Sequence, residues 1–177
     1  MLGPLIIVGT PISSPDAIGL IARLDRELQE LYPDSASSHS DLTQAEVGAR
    51  CGIFLIARRA GEPIGCGAMC RLDRTTGEIR RMYVLPSARG ARVGRHLLIE
   101  LERHARQLGI RRLILTTGIR QPVAIRMYEQ SGFTRTPAPP ESAVYPVRVY
   151  MAKELTAGFT PVAGPPRAGA SLAAHPQ

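Results

Sequence analysis

No long apolar run occurs in the 177 residues, and the opening decapeptide has no basic segment ahead of its short apolar stretch, Leu5 to Val8. A membrane span needs about 20 apolar residues, and a secretory leader needs a basic start followed by roughly 7–15 apolar ones. Neither is expected, nor is a membrane partner, and the expected location is the cytoplasm. Cysteine is scarce and odd in number, with only Cys51, Cys66 and Cys70. A domain of this size buries enough core to stand without covalent staples, so reduced thiols are expected rather than a disulfide framework. Aromatic residues make up 5% of the chain, which leaves little stacking surface for single-stranded nucleic acid. That weighs against a nucleic-acid partner, although Arg80-Arg81 and Arg111-Arg112 would suit phosphates. There is no internal repeat and no heptad pattern.

What is present is a surplus of positive charge, a net +7 carried mostly by arginine, together with 44% hydrophobic residues, enough for one globular core. Arginine favours phosphate-bearing partners, nucleotide cofactors among them. Residues 1–155 are expected to form a single domain, and residues 156–177, rich in Ala, Gly and Pro without periodicity, a disordered tail.

Leu5 to Val8 reads as a strand. Ser14-Pro15-Asp16 supplies a cap, a first-turn proline and a first-turn acid for a helix whose apolar face is Ile21, Leu24, Leu28 and Leu31, and which Pro33 stops. Asp41, with Gln44 three residues on, resembles a capping box for a short second helix. Ile53 to Arg58, Pro63 to Leu72 and Glu78 to Val84 read as an antiparallel meander with turns at Ala60-Gly61-Glu62 and Thr75-Thr76-Gly77. Leu97, Leu101, Ala105 and Leu108 recur at helical spacing from Gly94 to Leu108, and Gly109 stands where a left-handed cap belongs. Leu113 to Thr117 is then a strand parallel to Glu78 to Val84, because a helix separates the two. Pro122 to Gln130 follows as a short helix ended by Ser131-Gly132. Phe133 to Arg135 and Val147 to Glu154 read as two last strands around a proline-rich loop, Pro137 to Pro146.

The loop Arg89-Gly90-Ala91-Arg92-Val93-Gly94-Arg95 joins a strand to a helix N-terminus, where unpaired N–H groups and the helix dipole attract anions. Glycine lets the backbone come close to phosphates, and the three arginines can pair with phosphate oxygens. The loop lacks the Gly-Lys-Ser/Thr ending of a Walker site and the three glycines of a dinucleotide site, so ATP and NAD are not favoured. An ordinary strand-to-helix turn with surface arginines is the alternative reading of the loop alone.

Taken together, Glu78-Ile79-Arg80-Arg81-Met82-Tyr83-Val84, Pro86, the loop Arg89 to Gly94 and the helix after it resemble the acetyl-CoA signature of the GNAT family of N-acetyltransferases. Ala124-Ile125-Arg126-Met127-Tyr128-Glu129-Gln130-Ser131-Gly132-Phe133 is similar to the family's second signature. The resemblance runs from Ile53 to Leu155 and departs at two places. Arg92 stands where the loop pattern Arg/Gln-x-x-Gly-x-Gly/Ala has its first glycine, and Gln121-Pro122 replaces a frequent asparagine.

The resemblance implies an α+β fold: a mixed, mostly antiparallel sheet of six to seven strands, flanked by about four helices, with two neighbouring strands splayed into a cleft. It implies acetyl-CoA as cosubstrate and no metal. The backbone of Met82 and Val84 would pair with the pantetheine arm, Arg89, Gly90, Ala91, Arg92, Val93, Gly94 and Arg95 would hold the pyrophosphate, and Tyr83, Thr117, Gln121, Ala124 and Tyr128 would complete the cofactor site. The side chain of Tyr83 is expected on the face opposite Met82 and Val84 and is read as structural.

Acetyl transfer to an amine needs the amine uncharged, and a primary amine titrates near about 10.4, so a base or a proton-conducting water is required. Glu78, at the position resembling the family's catalytic glutamate, is the first candidate; a surface hairpin glutamate is the alternative. The leaving coenzyme A thiolate gains from a proton donor, and Tyr128 resembles the family's general acid. These residues suit an N-acetyltransferase working by direct transfer in a ternary complex, with a small-molecule amine as the preferred acceptor. The rivals are a non-catalytic acyl-CoA-binding module and an acetyltransferase acting on a protein or an aminoacyl-tRNA. Glu27, Glu30 and Asp34 could meet a cationic acceptor, but a solvated helix face explains them as well. A homodimer is a further expectation, with Val147 to Glu154 as its pairing edge. Cys66 and Cys70 share a strand face without a matching His or Cys pair, and His96 and His104 are more than two helical turns apart, so no metal site is expected.

Overall fold

The computed structural model describes residues 3–33, 42–48, 51–138 and 147–155. In chain order the elements are β1 (Leu5–Gly9), α1 (Pro15–Leu31), β2 (Gly52–Arg59), β3 (Glu62–Arg71), β4 (Thr76–Val84), α2 (Val93–Gln107), β5 (Arg112–Gly118), α3 (Pro122–Gln130), β6 (Thr134–Thr136) and β7 (Arg148–Glu154), with a single 3₁₀ turn at Pro86–Ala88. One seven-stranded sheet runs in the order β1-β2-β3-β4-β5-β7-β6. Every pairing is antiparallel except β4 with β5, the parallel pair expected from the intervening helix.

The local chemistry explains where the elements begin and end. Ser14 caps α1 by accepting from Ala17 N at 3.2 Å. The β2–β3 hairpin turns on Ala60 and Gly61, both at positive φ (51° and 85°), the primed turn that suits strand twist. Helix α2 ends in a Schellman motif: Gly109 is at φ 77°, Ile110 N donates to Ala105 O at 2.9 Å and Gly109 N to Arg106 O at 3.0 Å.

The sheet carries two cores. On one face α2 and α3 pack over Leu55, Met69, Ile79, Leu113, Leu115 and Met151; on the other α1 packs over Phe54, Ile56, Cys66, Ala68 and Tyr83. A part-buried ion pair ties the first face together, with Lys153 Nζ 2.6 Å from Glu102 on α2 and 2.7 Å from the Ser131 carbonyl at the end of α3.

Three expectations need correction. Among the described residues there are three α-helices rather than about four, because the second helix expected after Asp41 is not formed there: Asp41 lies outside the described residues, and residues 44–48 form only a turn and a bend. The reciprocal capping pair there is Thr43 with Glu46, whose carboxylate accepts from Thr43 N at 2.8 Å, so the box is shifted by two residues and starts no helix. The Thr75-Thr76-Gly77 turn is partly strand: Asp73 accepts from Thr75 N and Thr76 N at 2.7 and 2.8 Å and closes the turn earlier, so β4 begins at Thr76. Finally, the last strand is not an edge. β7 lies between β5 and β6, and the sheet's edges are β1 and β6. Most of the loop expected at 137–146 and the tail expected at 156–177 lie outside the described residues.

Candidate active site

The β4–β5 ladder stops early. Its pairs run from Thr76↔Arg112 to Ile79↔Leu115, and Met82, Tyr83 and Val84 lie beyond the last of them. The cause is a bulge. Two residues of β4, Arg81 and Met82, stand opposite the single Gly67 of β3, and Arg81 takes a left-handed conformation at φ 54°. Gly67 leaves room there, because a Cβ at that position would lie 2.4 Å from the Met82 sulfur and the methionine side chain would have to move. The extra residue also reverses the side-chain alternation. Ile79 and Met82 both face α2, and Tyr83 turns to the α1 face as expected.

The N-terminus of α2 opens beside this gap. Gly90 and Arg92 are both left-handed (φ 81° and 58°), and the helix carries no side-chain cap, so its first N–H groups are available to an anion. Arg92 stands where the resemblance has glycine, and its φ shows what that glycine would do: relieve a conformation costing an L-residue about 1–2 kcal/mol. Gly94 allows α3 to approach, since a Cβ there would lie 3.0 Å from the Met127 sulfur. The first-turn N–H groups of Val93, Gly94 and Arg95 thus sit next to α3.

Thr117 and Gln121 form a local unit. The Gln121 side-chain Oε1 accepts from the Thr117 hydroxyl and from Gly118 N, each at 3.0 Å, which fixes the start of α3 on the end of β5. Ala124 and Tyr128 face the α2-side core. Tyr128 is buried, its hydroxyl has no hydrogen-bond partner among the described residues, and burial pushes its phenol above the ordinary value.

Arg89 does something the sequence does not announce. Its Nη2 contacts both carboxylate oxygens of Glu27 at 2.8 and 2.7 Å, and its Nε donates to the Val84 carbonyl at 3.0 Å. Of the candidate pyrophosphate ligands, it is the one already occupied by a neighbouring helix.

Glu78 faces the opposite side of the sheet from Tyr128, towards α1. It is paired across β3 with Cys70 and across β5 with Ile114, at the closed end of the gap. Partial burial raises its carboxyl from the ordinary range, Arg80 (Nε 3.9 Å away) opposes that rise and Glu46 adds to it. Glu46 itself is paired with Arg80 at 3.0 Å. Burial likewise pushes Cys66 up to about 12 and Cys70 up to about 11, which makes them inert thiols, and no metal-ligating cluster occurs among the described residues.

Sequence reasoning missed one polar group on this face. Tyr150 pairs with Thr116, so it shares the α1 side with Ile114 and Glu78, and its hydroxyl is buried without a hydrogen-bond partner among the described residues. A tyrosine in a last strand carries no pattern that would single it out. Tyr32, at the end of α1, reaches the end of β5: its hydroxyl accepts from Arg120 N at 2.8 Å and rests where a Gly118 side chain would stand. No helix among the described residues is long and apolar enough to cross a membrane.

The model of the acetyltransferase (GNAT) family matches residues 20–133. An IAA acetyltransferase of Azospirillum brasilense is 40% identical over 141 residues, 78% of this chain and 90% of the relative. An aminoalkylphosphonate N-acetyltransferase of Salmonella typhimurium is 38% identical over 88 residues, 47% of this chain and 57% of the relative. A solved structure from Klebsiella pneumoniae is similar at a TM-score of 0.72 and 33% identity, covering 85% of this chain and 97% of that one. In fold alone, a GNAT acetyltransferase from Elizabethkingia anophelis with acetyl-CoA bound is similar at a TM-score of 0.61 and 20% identity, covering 85% of this chain and 98% of that one.

Proposed function

The chain belongs to the acetyltransferase (GNAT) family, and from that premise we propose that it transfers the acetyl group of acetyl-CoA directly to a small primary amine in a ternary complex. The observation that carries the reading is the gap between β4 and β5 beside the uncapped N-terminus of α2. The pantetheine arm lies along Met82 to Val84 as an added strand, and the pyrophosphate sits on the N–H groups of residues 90–95.

The two faces of the sheet then have different tasks. Acetyl-CoA approaches from the α2–α3 face, where Tyr128 waits; the amine approaches from the α1 face, where Glu78 and Tyr150 stand. The gap lets them meet. The amine nitrogen attacks the acetyl carbonyl carbon, and its proton passes to Glu78, directly or through water. The C–S bond breaks as the tetrahedral intermediate collapses, and the departing thiolate takes the Tyr128 proton. A phenol kept protonated by burial suits that donation. The Tyr150 hydroxyl binds a polar group of the acceptor, which gives the orphaned atom a partner.

Calorimetric titration with acetyl-CoA, coenzyme A and ATP tests the site. Binding of both coenzyme A species but not ATP is expected; absence of acetyl-CoA binding would end the catalytic reading. A screen of small amines under release of free thiol then tests the acceptor class.

A further inference from the structure

Arg89 is the point where α1, β4 and the phosphate loop meet. Besides its contacts with Glu27 and the Val84 carbonyl, its guanidinium carbon lies 5.8 Å from the centre of the Tyr83 ring. The Val84 carbonyl belongs to the segment of β4 beyond the last β5 pair. The residue that follows Arg89 is Gly90, the first left-handed residue of the loop. One guanidinium is thus shared between the helix on the acceptor side and the site of the cofactor.

With Nε on the Val84 carbonyl and Nη2 on both carboxylate oxygens, only Nη1 of Arg89 is left for a phosphate, and a bidentate grip on the pyrophosphate needs Nη2 as well. Carboxylate and pyrophosphate therefore compete for Nη2. The more highly charged one wins when present, because the Arg89 and Glu27 side chains keep 46% and 34% of their exposure and an ion pair so placed is weak.

We propose that Glu27 is a positioning residue that competes with the cofactor's pyrophosphate for Arg89, so that acetyl-CoA binding frees the Glu27 carboxylate to receive the acceptor as its ammonium ion. This rests on the acetyl-CoA reading above and goes further by giving Glu27 a part in acceptor binding that depends on which group Arg89 engages.

The test is a double-mutant cycle. Coenzyme A and acetyl-CoA are titrated calorimetrically into the wild type, Glu27→Gln, Arg89→Gln and the double variant, with circular dichroism melts to verify folding. Glu27→Gln is expected to bind either species up to about fivefold more tightly, the factor an exposed ion pair is worth. Arg89→Gln is expected to bind more weakly, and Glu27→Gln to have no effect in its background. Glu27→Asp, which keeps the charge on a shorter arm, should fall between. In steady state Glu27→Gln should raise KM for the amine while KM for acetyl-CoA falls. Equal affinity in the wild type and Glu27→Gln, or tightening that persists without Arg89, overturns the role of Glu27 and leaves the acetyl-CoA reading intact. Failure of all four proteins to bind either species overturns both.

Discussion

Phe133 N donates to the Tyr128 carbonyl at 3.0 Å, and the two rings meet edge to face with centres 5.8 Å apart. The hydrogen bond belongs to a Schellman motif closed by Gly132 at φ 89°, so the end of α3 and the orientation of Tyr128 are set by one local structure. Tyr128 is held by its ring and backbone, which leaves its hydroxyl available for the proton donation proposed above.

That division of labour predicts a clean phenotype for Tyr128→Phe. The ring and its contact with Phe133 remain, so folding and acetyl-CoA affinity should be unchanged while kcat falls by about a hundredfold, the lower range for loss of a general acid. Unchanged turnover in a stopped assay of thiol release would remove Tyr128 from the mechanism.

Glu78 should link activity and stability in opposite senses. Burial raises its carboxyl in the folded protein. A raised acid favours the fold while protonated, and that contribution is lost as pH climbs from the unfolded value through the folded one, so at neutral pH the ionised group is a net cost. Glu78→Gln should accordingly raise Tm at pH 7 and bring no gain at pH 4, while kcat/KM falls by about a hundredfold and its acidic limb, expected above the ordinary glutamate value of about 4.3, disappears. A lower Tm at pH 7 would mean that the Arg80 attraction outweighs desolvation.

Much of this architecture could be read from residue patterns because it rests on local chemistry. Ser14 with Pro15 starts α1, Gly109 and Gly132 end α2 and α3, and a helix between two strands makes β4 and β5 parallel. The gap itself could not be read. It depends on one left-handed arginine, Arg81, which no sequence pattern marks; Gly67 opposite it is a strand glycine of the kind that often accompanies a bulge, but it does not say which partner strand carries the extra residue. The ion pairs between elements are equally silent, because Glu27 and Arg89 are 62 residues apart. Edge position escaped for the same reason: β7 follows β6 in sequence yet is placed inside it by its pairing with β5.

Arg92 at φ 58° makes a prediction that separates backbone from charge. Arg92→Gly relieves the left-handed strain and, net of the greater freedom of glycine in the unfolded chain, should stabilise by about 0.5–1 kcal/mol. Arg92→Ala keeps the strain and should leave Tm near the wild-type value. Both lose the same guanidinium, so acetyl-CoA affinity should fall several-fold in each and to a similar degree. A fall confined to the alanine variant would assign the effect to backbone geometry rather than to charge.

The buried hydroxyl of Tyr150 is unsatisfied among the described residues, and such a group costs about 1–3 kcal/mol unless something bonds to it. Tyr150→Phe removes the oxygen and keeps the ring, so the free protein should be stabilised by about 1 kcal/mol. With the acceptor bound the sign reverses, because the variant forgoes a hydrogen bond, and KM for the amine should rise about tenfold with kcat little changed. The two measurements are complementary. A gain in Tm with unchanged KM would mean that the hydroxyl faces space the acceptor does not reach, and the acceptor would then have to be sought nearer Glu78 and Ile114 than Thr116.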